Sequence, residues 1–344
     1  MTQTLAHLGL PPKDMKVKDV VVREIGSFGR LDCIVREADV LRRIRAIFDA
    51  GTTDASIIVG NGDDGAVLAL ADQTVIATDM AVEGIHFRRQ WSTAEQIGRK
   101  ITAANLADIC AMGGWPTHLV VSVAFPSDFL GSLEDLASGI ALEARKVGAR
   151  VVGGDLSQGN HLVISITALG KTKRAIRRSS AKVGDSVVVS HLPGLSAAGL
   201  YLLEKRSVDE GVEAKTAIAQ HCAPEIDYER YRDSCEFLHS ATDISDGLII
   251  DLSHIASSSS VAIDIKSAAI QNDQQFEVLI KATSSKERAL EFVLTGGEDH
   301  VLLGTTSSPE KCRGFLEIGR VIPGQGVFVD GELRDNESGY QHNW

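Results

Sequence analysis

Cysteine, runs of one charge and long apolar stretches are what this sequence has least of. Its five cysteines, Cys33, Cys110, Cys222, Cys235 and Cys312, are odd in number and scattered, with no CxxC pair, so neither a disulfide framework nor a zinc site is expected. A reducing, cytoplasmic setting fits that usage. No segment reaches membrane-spanning length, and the opening stretch "MTQTLAHLGLPPKDMKVKDV" has Pro11, Pro12 and several charges where a signal peptide needs an apolar core. It is expected to form a loose, poorly ordered extension. The net charge is −11 with no long basic run, which argues against nucleic acid or an anionic membrane surface as a partner. No G-x-x-x-x-G-K-[ST] loop, kinase HRD or DFG set, or EF-hand loop occurs, so ordinary nucleotide folds and a calcium buffer are disfavoured.

What is present is the balance of a compact α/β enzyme: 344 residues, 44% apolar and 24% charged, with 32 glycines. That length favours two domains. Short β-branched runs ("ASIIVG", "QTVIATD", "THLVVSVAFP", "ARVVGGD", "HLVISITALG", "DSVVVSHL", "SVAIDI", "FVLTGG", "GVFVDG") read as strands alternating with helices. The basic segment "GKTKRAIRRSSAKVGD" has no strand character and marks a boundary. The expected division is an extension and first helix over 1–50, one domain over 51–172 and a second over 173–344. The two halves look alike, but no internal repeat is convincing.

One helix is expected to start near Thr93, with Ser92 and Glu95 of "STAE" as a capping box. Ile97, Ile101, Ala104 and Met112 then share a face, and Asp108 falls among them. A carboxylate on an apolar stripe must be paired, protonated or metal-bound, since burying it alone costs several kcal/mol. A second helix is expected from "SDGLIIDLSHIA", with Leu248, Leu252 and Ile255 inward and Ser245 or Asp246 at its N-terminus.

Carboxylates beside glycines or at strand ends recur: Asp63 and Asp64, Asp79, Asp155, Asp243 and Asp246, then Glu298 and Asp299. Each alone suits a turn or a helix cap. Together they suggest loops converging on one sheet edge, where α/β proteins bind ligands. Two carboxylates about 4 Å apart repel by roughly 4 kcal/mol at an effective dielectric near 20, so five or six need cations among them. Oxygen-only donors suit Mg²⁺ or Ca²⁺, and Mg²⁺ usually shares its shell with phosphates, which leads from a metal to a nucleotide. "LPGLSAAGLYLLEK" is either an anion site or a packing turn, with packing favoured. Arg178 and His86 are better anion contacts, each weighed against a solvated or structural role.

"GNGDDGAVL", "ATDMAVEGIHF", "GRKITAANLADICAMGGWP", "VVGGD", "SAKVGDSVVVS", "LSAAGL", "ATDISDGLIIDLSHIA" and "TGGEDH" occur in an order that resembles the thiamine-monophosphate kinase family, from about Ile57 to the C-terminus. The wider superfamily holds aminoimidazole ribonucleotide synthetase and selenophosphate synthetase. The resemblance implies two α/β domains, the N-terminal one with a mixed sheet that pairs across a homodimer axis, and ATP in the cleft. It implies ATP-dependent, Mg²⁺-assisted in-line phosphorylation of thiamine monophosphate to thiamine diphosphate, without a phosphoenzyme. Carried over residue by residue, Asp64, Thr78, Asp79, Asp108, Asp155, Asp243 and Asp246 are the metal positions, and Gly154, Asp155, Arg178 and Ser245 surround ATP. His86, Glu298 and Tyr340 meet the substrate. No proton-abstracting residue is assigned, because the nucleophile is an ionised phosphate.

The chain departs from the family pattern in places: "GGDLSQG" stands where "GGDTTRG" is usual, putting Gln158 in place of an arginine, and His300 and Val301 stand where "GGEDYEL" is usual. The family's N-terminal "GEF" element survives only as "GSFGRLDC", with Ser27 in the acidic position. These changes spare every metal position, so activity with altered affinity is expected. The alternatives are another ATP-using member of the superfamily, such as aminoimidazole ribonucleotide synthetase, or a non-catalytic metal-binding protein.

Overall fold

The computed structural model describes residues 37–50, 54–59, 67–70, 73–205 and 211–334. Two units divide the chain, 1–40 and 41–344. Of the first, only the start of helix α1 (Glu37–Asp49) is described. The expectations for the N-terminal arm, for "GSFGRLDC", for Asp63 and Asp64 and for Tyr340 lie outside the described residues.

In the second unit, β1 (Ile57–Val59) and β2 (Val67–Leu68) pair antiparallel. Then follow β3 (Gln73–Val82), α2 (Ala94–Ala111), β4 (Trp115–Phe125), α3 (Leu133–Lys146), β5 (Arg150–Gln158) and β6 (Val163–Thr172). These strands form a four-stranded mixed sheet in the order β3-β6-β4-β5, with β4 and β5 parallel and the other pairs antiparallel. One face is built from alternate residues such as Leu119, Val121, Ile164, Ile166 and Ala168, all buried beneath α2 and α3. Full burial of each large aliphatic there contributes roughly 1.5–3 kcal/mol. The opposite face is left uncovered by the described residues: Ile76 is 65% and Met80 57% exposed.

A larger sheet follows. Its elements are β7 (Ser186–Val189), α4 (Leu195–Lys205), α5 (Val212–Cys222), α6 (Tyr228–Ser234), β8 (Ser240–Ile244), α7 (Leu248–Ser259), β9 (Ala262–Ile265) and α8 (Ser267–Gln271). After them come α9 (Gln274–Thr283), α10 (Lys286–Thr295), β10 (Val301–Thr306), β11 (Leu316–Ile322), β12 (Gly326–Val329) and β13 (Glu332–Arg334). The seven strands run β13-β12-β9-β11-β7-β10-β8, antiparallel except for β12 beside β9. Leu248, Leu252 and Ile255 of α7 are buried, as their spacing implies, in a core with Ile244, Phe276 and Val293. Helix α2 touches both sheets, lying on β3 and β6 on one side and reaching β8 and β10 on the other. That bridging helix positions the site.

Four local expectations need correction. "FVLTGG" is not a strand but the end of α10 and its exit, since a short apolar run reads equally as buried helix. The capping box of α2 sits one residue later than expected: Thr93 is the cap, accepting from the Gln96 amide at 3.2 Å, while the Gln96 side chain accepts from the Thr93 amide at 2.9 Å. Neither Ser245 nor Asp246 caps α7; Gly247 occupies the cap position without a side-chain bond. The first residues of the basic boundary segment, Gly170 to Thr172, belong to β6.

Candidate active site

A cavity of about 790 Å³ opens along α2 between the two sheets. The buried stripe that looked anomalous explains itself here, because Ile97, Ile101, Ala104 and Asp108 all line it. Met112, expected on the same stripe, is 37% exposed and is not part of the lining. Of the expected site residues, Thr78, Asp79, His86, Asp108, Asp243, Ser245, Asp246 and Glu298 line this one space. The carboxylates do not come from loops at a single sheet edge. Asp79 sits within β3, Asp108 within α2 and Asp243 within β8.

The acidic end is organised by those three. Asp79 points to the α2 side of its sheet, and its backbone amide donates to Asn105 Oδ1 at 3.1 Å, while Asn105 Nδ2 donates to Ile101 O at 2.9 Å. Asn105 is fully buried and ties strand to helix one turn before Asp108. Burial raises the Asp79 carboxyl, and nearby Asp243 adds to it. Asp108 is pushed up to about 8, first by burial and then by Asp243 and Asp79. His300, only 7% exposed, places Nδ1 3.0 Å from Asp243 Oδ2. Burial works against charge on His300, but the bond to Asp243 and the surrounding carboxylates raise it.

Asp246 is carried on a turn held by a residue that sequence reasoning missed. Asp251 Oδ2 accepts from the backbone amides of Ser245, Asp246 and Gly247 at 3.1, 3.2 and 3.2 Å. Burial, then Asp243 and Asp246, push its carboxyl up to about 7 against those bonds. Gly247 has φ +128° and a Cβ there would lie 2.6 Å from Thr295 O, while a Cβ on Gly297 would lie 2.2 Å from Ser245 O. Both glycines let the "SDG" and "GGED" turns close on each other.

At the other end Lys100, on the cavity face of α2, donates to Glu298 Oε2 at 3.1 Å and to His221 O at 2.9 Å. His221 Nδ1 lies 3.1 Å from Ser196 Oγ. Burial would raise Glu298, but Lys100 and His221 hold it below its ordinary value; burial and Lys100 push His221 down to about 4. Eight residues of helix separate Lys100 from Asp108, about 12 Å. Phe292, Tyr201 and Leu200 supply an apolar wall. The "LPGLSAAG" turn proves to be an anion site filled from within the chain: Asp299 Oδ2 and Oδ1 accept from the Gly194 and Ser196 amides at 2.6 and 2.9 Å. Burial raises Asp299 to about 6 despite them. His86 stays beside β3, its Nδ1 accepting from the Val82 amide at 3.1 Å.

Three expected residues lie elsewhere. Arg178 is outside the cavity lining, its Nε 3.1 Å from Thr242 Oγ1, directly before Asp243 in β8. Asp155 and Gly154 are exposed on the edge strand β5. A bulge between Leu119 and Val120 pairs them with Val151 and Gly153, which turns Asp155 to the uncovered face, away from Asp79 and Asp108.

Oxygen donors with no thiol among them suit a hard divalent cation. Among the described residues, no three His, Cys, Asp or Glu side chains surround one point closely enough to hold a metal ion unaided. An ion here must complete its shell from phosphate and water, as Mg²⁺ habitually does.

Two family models match: AIR synthase related protein, N-terminal domain, over residues 62–172, and AIR synthase related protein, C-terminal domain, over residues 182–332. Thiamine-monophosphate kinase of Mycobacterium tuberculosis (strain H37Rv) is 35% identical over 326 residues, covering 93% of this chain and 92% of that protein. The chain belongs to the thiamine-monophosphate kinase family. The Aquifex aeolicus member is 32% identical, with 93% of this chain and 99% of the relative covered. Among solved structures, AaThiL complexed with AMPPCP and TMP matches with a TM-score of 0.73 and 32% identity, covering 78% of this chain and 87% of that one. Thiamine-monophosphate kinase from Stenotrophomonas maltophilia matches with a TM-score of 0.76 and 29% identity, over 85% and 96% of the two chains. The Escherichia coli hydrogenase maturation protein HypE shares the fold alone, at 16% identity and a TM-score of 0.68.

Proposed function

We infer that this chain transfers the γ-phosphoryl group of ATP to the phosphate of thiamine monophosphate, giving thiamine diphosphate and ADP. The observation that carries this reading is a single cavity, set between the two sheets of a thiamine-monophosphate kinase fold, with a carboxylate cluster at one end and a Lys100–Glu298 pair beside an apolar wall at the other. The solved relative binds both an ATP analogue and TMP.

Two anionic phosphates must be brought together in line. Magnesium supplies charge neutralisation between them and a fixed geometry. Asp79, Asp108, Asp243 and Asp246 are the residues to hold it, with Asp64 and Thr78 as further ligands. Ser245 and Arg178 flank the ATP side. The nucleophile is already ionised, so no side chain needs to remove a proton. His86 and Glu298 bind thiamine monophosphate together with Tyr340, and the half-buried Glu298 carboxylate suits its cationic, amine-bearing rings.

The chain acts as a cytoplasmic homodimer of two-domain subunits, divided at 172/173. The exposed Ile76 and Met80 on the uncovered sheet face suit a second copy. Asp155 keeps its assignment to metal and ATP from that uncovered face, and Gly154, its neighbour in β5, its assignment to ATP. Among the described residues no helix is long and apolar enough to cross a membrane, and Cys110, Cys222, Cys235 and Cys312 are free thiols.

Purified protein with ATP, Mg²⁺ and thiamine monophosphate should yield equal amounts of thiamine diphosphate and ADP. Consumption of a formylglycinamidine substrate instead points to a synthetase. No ADP with any thiamine compound leaves only metal binding.

A further inference from the structure

His300 sits where three segments lock together. Its amide donates to Ile244 O at 3.0 Å, its carbonyl accepts from Tyr231 Oη at 2.6 Å, and that hydroxyl accepts from the Leu302 amide at 2.9 Å. Tyr231 is completely buried. The backbone of His300 is held at φ +52°, a left-handed conformation that residues with side chains enter only at a cost. So clamped, the imidazole has little freedom, and its Nδ1 rests 3.0 Å from Asp243 Oδ2.

The neighbours of Asp243 make that contact matter. Asp108 and Asp79 face it from α2 and β3, and both repel it when ionised. Left alone, a carboxylate in such company turns away from the others. A carboxylate that takes up a cation is ionised and only accepts, so in that state the imidazole is the donor at this contact.

We propose that His300 is a positioning residue that pins one oxygen of Asp243 through Nδ1–H and so leaves the other free to turn toward a divalent cation in the acidic end of the cavity. Outer partners of this kind fix the orientation of metal-binding side chains. The role is independent of the charge of the ring, since the neutral Nδ1–H tautomer and the imidazolium both donate there. It rests on the metal reading above and adds to it a residue that meets the cation only through Asp243.

The test compares His300→Phe, which keeps a ring and loses the donor, with His300→Asn, whose side-chain NH₂ takes the place of Nδ1 and whose backbone tolerates positive φ. Mn²⁺ binding in the presence of AMPPCP is followed by electron paramagnetic resonance, with thermal unfolding of each metal-free protein alongside. His300→Phe is expected to bind Mn²⁺ about 10- to 100-fold more weakly, and His300→Asn to recover most of that loss. In kinetics, the Mg²⁺ requirement should rise while KM for thiamine monophosphate stays put. Unchanged Mn²⁺ affinity in His300→Phe, or equal weakening in both folded variants, overturns the proposal. Should His300→Phe fail to fold, ¹⁵N spectra of the wild type decide: a protonated Nδ1 whose signal shifts on Mg²⁺ addition supports it, and an unprotonated Nδ1 overturns it. A wild-type protein that binds no Mn²⁺ refutes the metal reading itself, a distinguishable result.

Discussion

The two ends of the cavity solve opposite electrostatic problems. At the Lys100 end, cation and carboxylate are already paired: Lys100 holds Glu298 below its ordinary pKa, and His221 is kept neutral beside them. At the Asp108 end the carboxylates raise one another, with Asp108 pushed up to about 8 by burial and by Asp243. One end is complete within the chain; the other is arranged for charge that must arrive from outside. A site built to bring two phosphates together needs that asymmetry, because substrate recognition can be prepaid while neutralisation must come with the reactants.

The largest effects are expected from removing the charge at the acidic end. Asp108→Asn and Asp243→Asn should each cut kcat by roughly a hundred- to a thousandfold while leaving the fold intact. Metal-free melting temperatures of these variants, unchanged or higher than wild type, would support the comparison; a marked drop would break it. Glu298→Gln strikes the paired end and should behave differently. It leaves Lys100 without its carboxylate, so KM for thiamine monophosphate should rise about tenfold and stability fall by about 1–2 kcal/mol. An effect confined to kcat would contradict this assignment.

A finer contrast comes from pH. Asp108 is raised from 3.8 to about 8, so between these values the folded protein keeps a proton that the unfolded chain has released. Its contribution favours the fold at low pH and is lost as pH rises through about 8. His221 is lowered from 6.5 to about 4, so between these values the unfolded chain takes up a proton that the folded one refuses. Its contribution is present above 6.5 and is lost as pH falls to about 4. In denaturant titrations of metal-free protein, Asp108→Asn should flatten the loss of stability as pH rises from 3.8 to about 8. His221→Gln should remove on the order of 3 kcal/mol of the acid loss. Slopes of the same sign at both ends would break the contrast.

The sequence makes the acidic end far more legible than the paired one. Asp108 announces itself as a carboxylate on an apolar stripe, and Asp243 and Asp246 as a doublet at a strand-to-helix turn. Lys100 does not, since its partner Glu298 lies 198 positions away and nothing local to "GRKIT" hints at it. Asp251 and Asp299 each look like ordinary helix or turn residues, yet one gathers three amides of the "SDG" turn and the other caps a helix 105 positions earlier. Asp155 shows the converse failure. Strict alternation from Val151 would put it on the α2 side with Leu119, but a single extra residue in β5 reverses the face. β1, β3 to β7, β9 and β12 are readable as β-branched runs, whereas β2, β8, β10, β11 and β13 are not among the runs read as strands, and "FVLT" misleads because buried helix and buried strand have the same composition.

The central claim is that carboxylates from both sheets share one space because a divalent cation and phosphates come to fill it. Calorimetric titration of Mg²⁺ into protein holding AMPPCP tests this directly, comparing wild type with the Asp108→Asn, Asp243→Asn double variant. Saturable binding in the wild type, absent from the double variant, is the predicted result. Equal Mg²⁺ uptake by both proteins would contradict it.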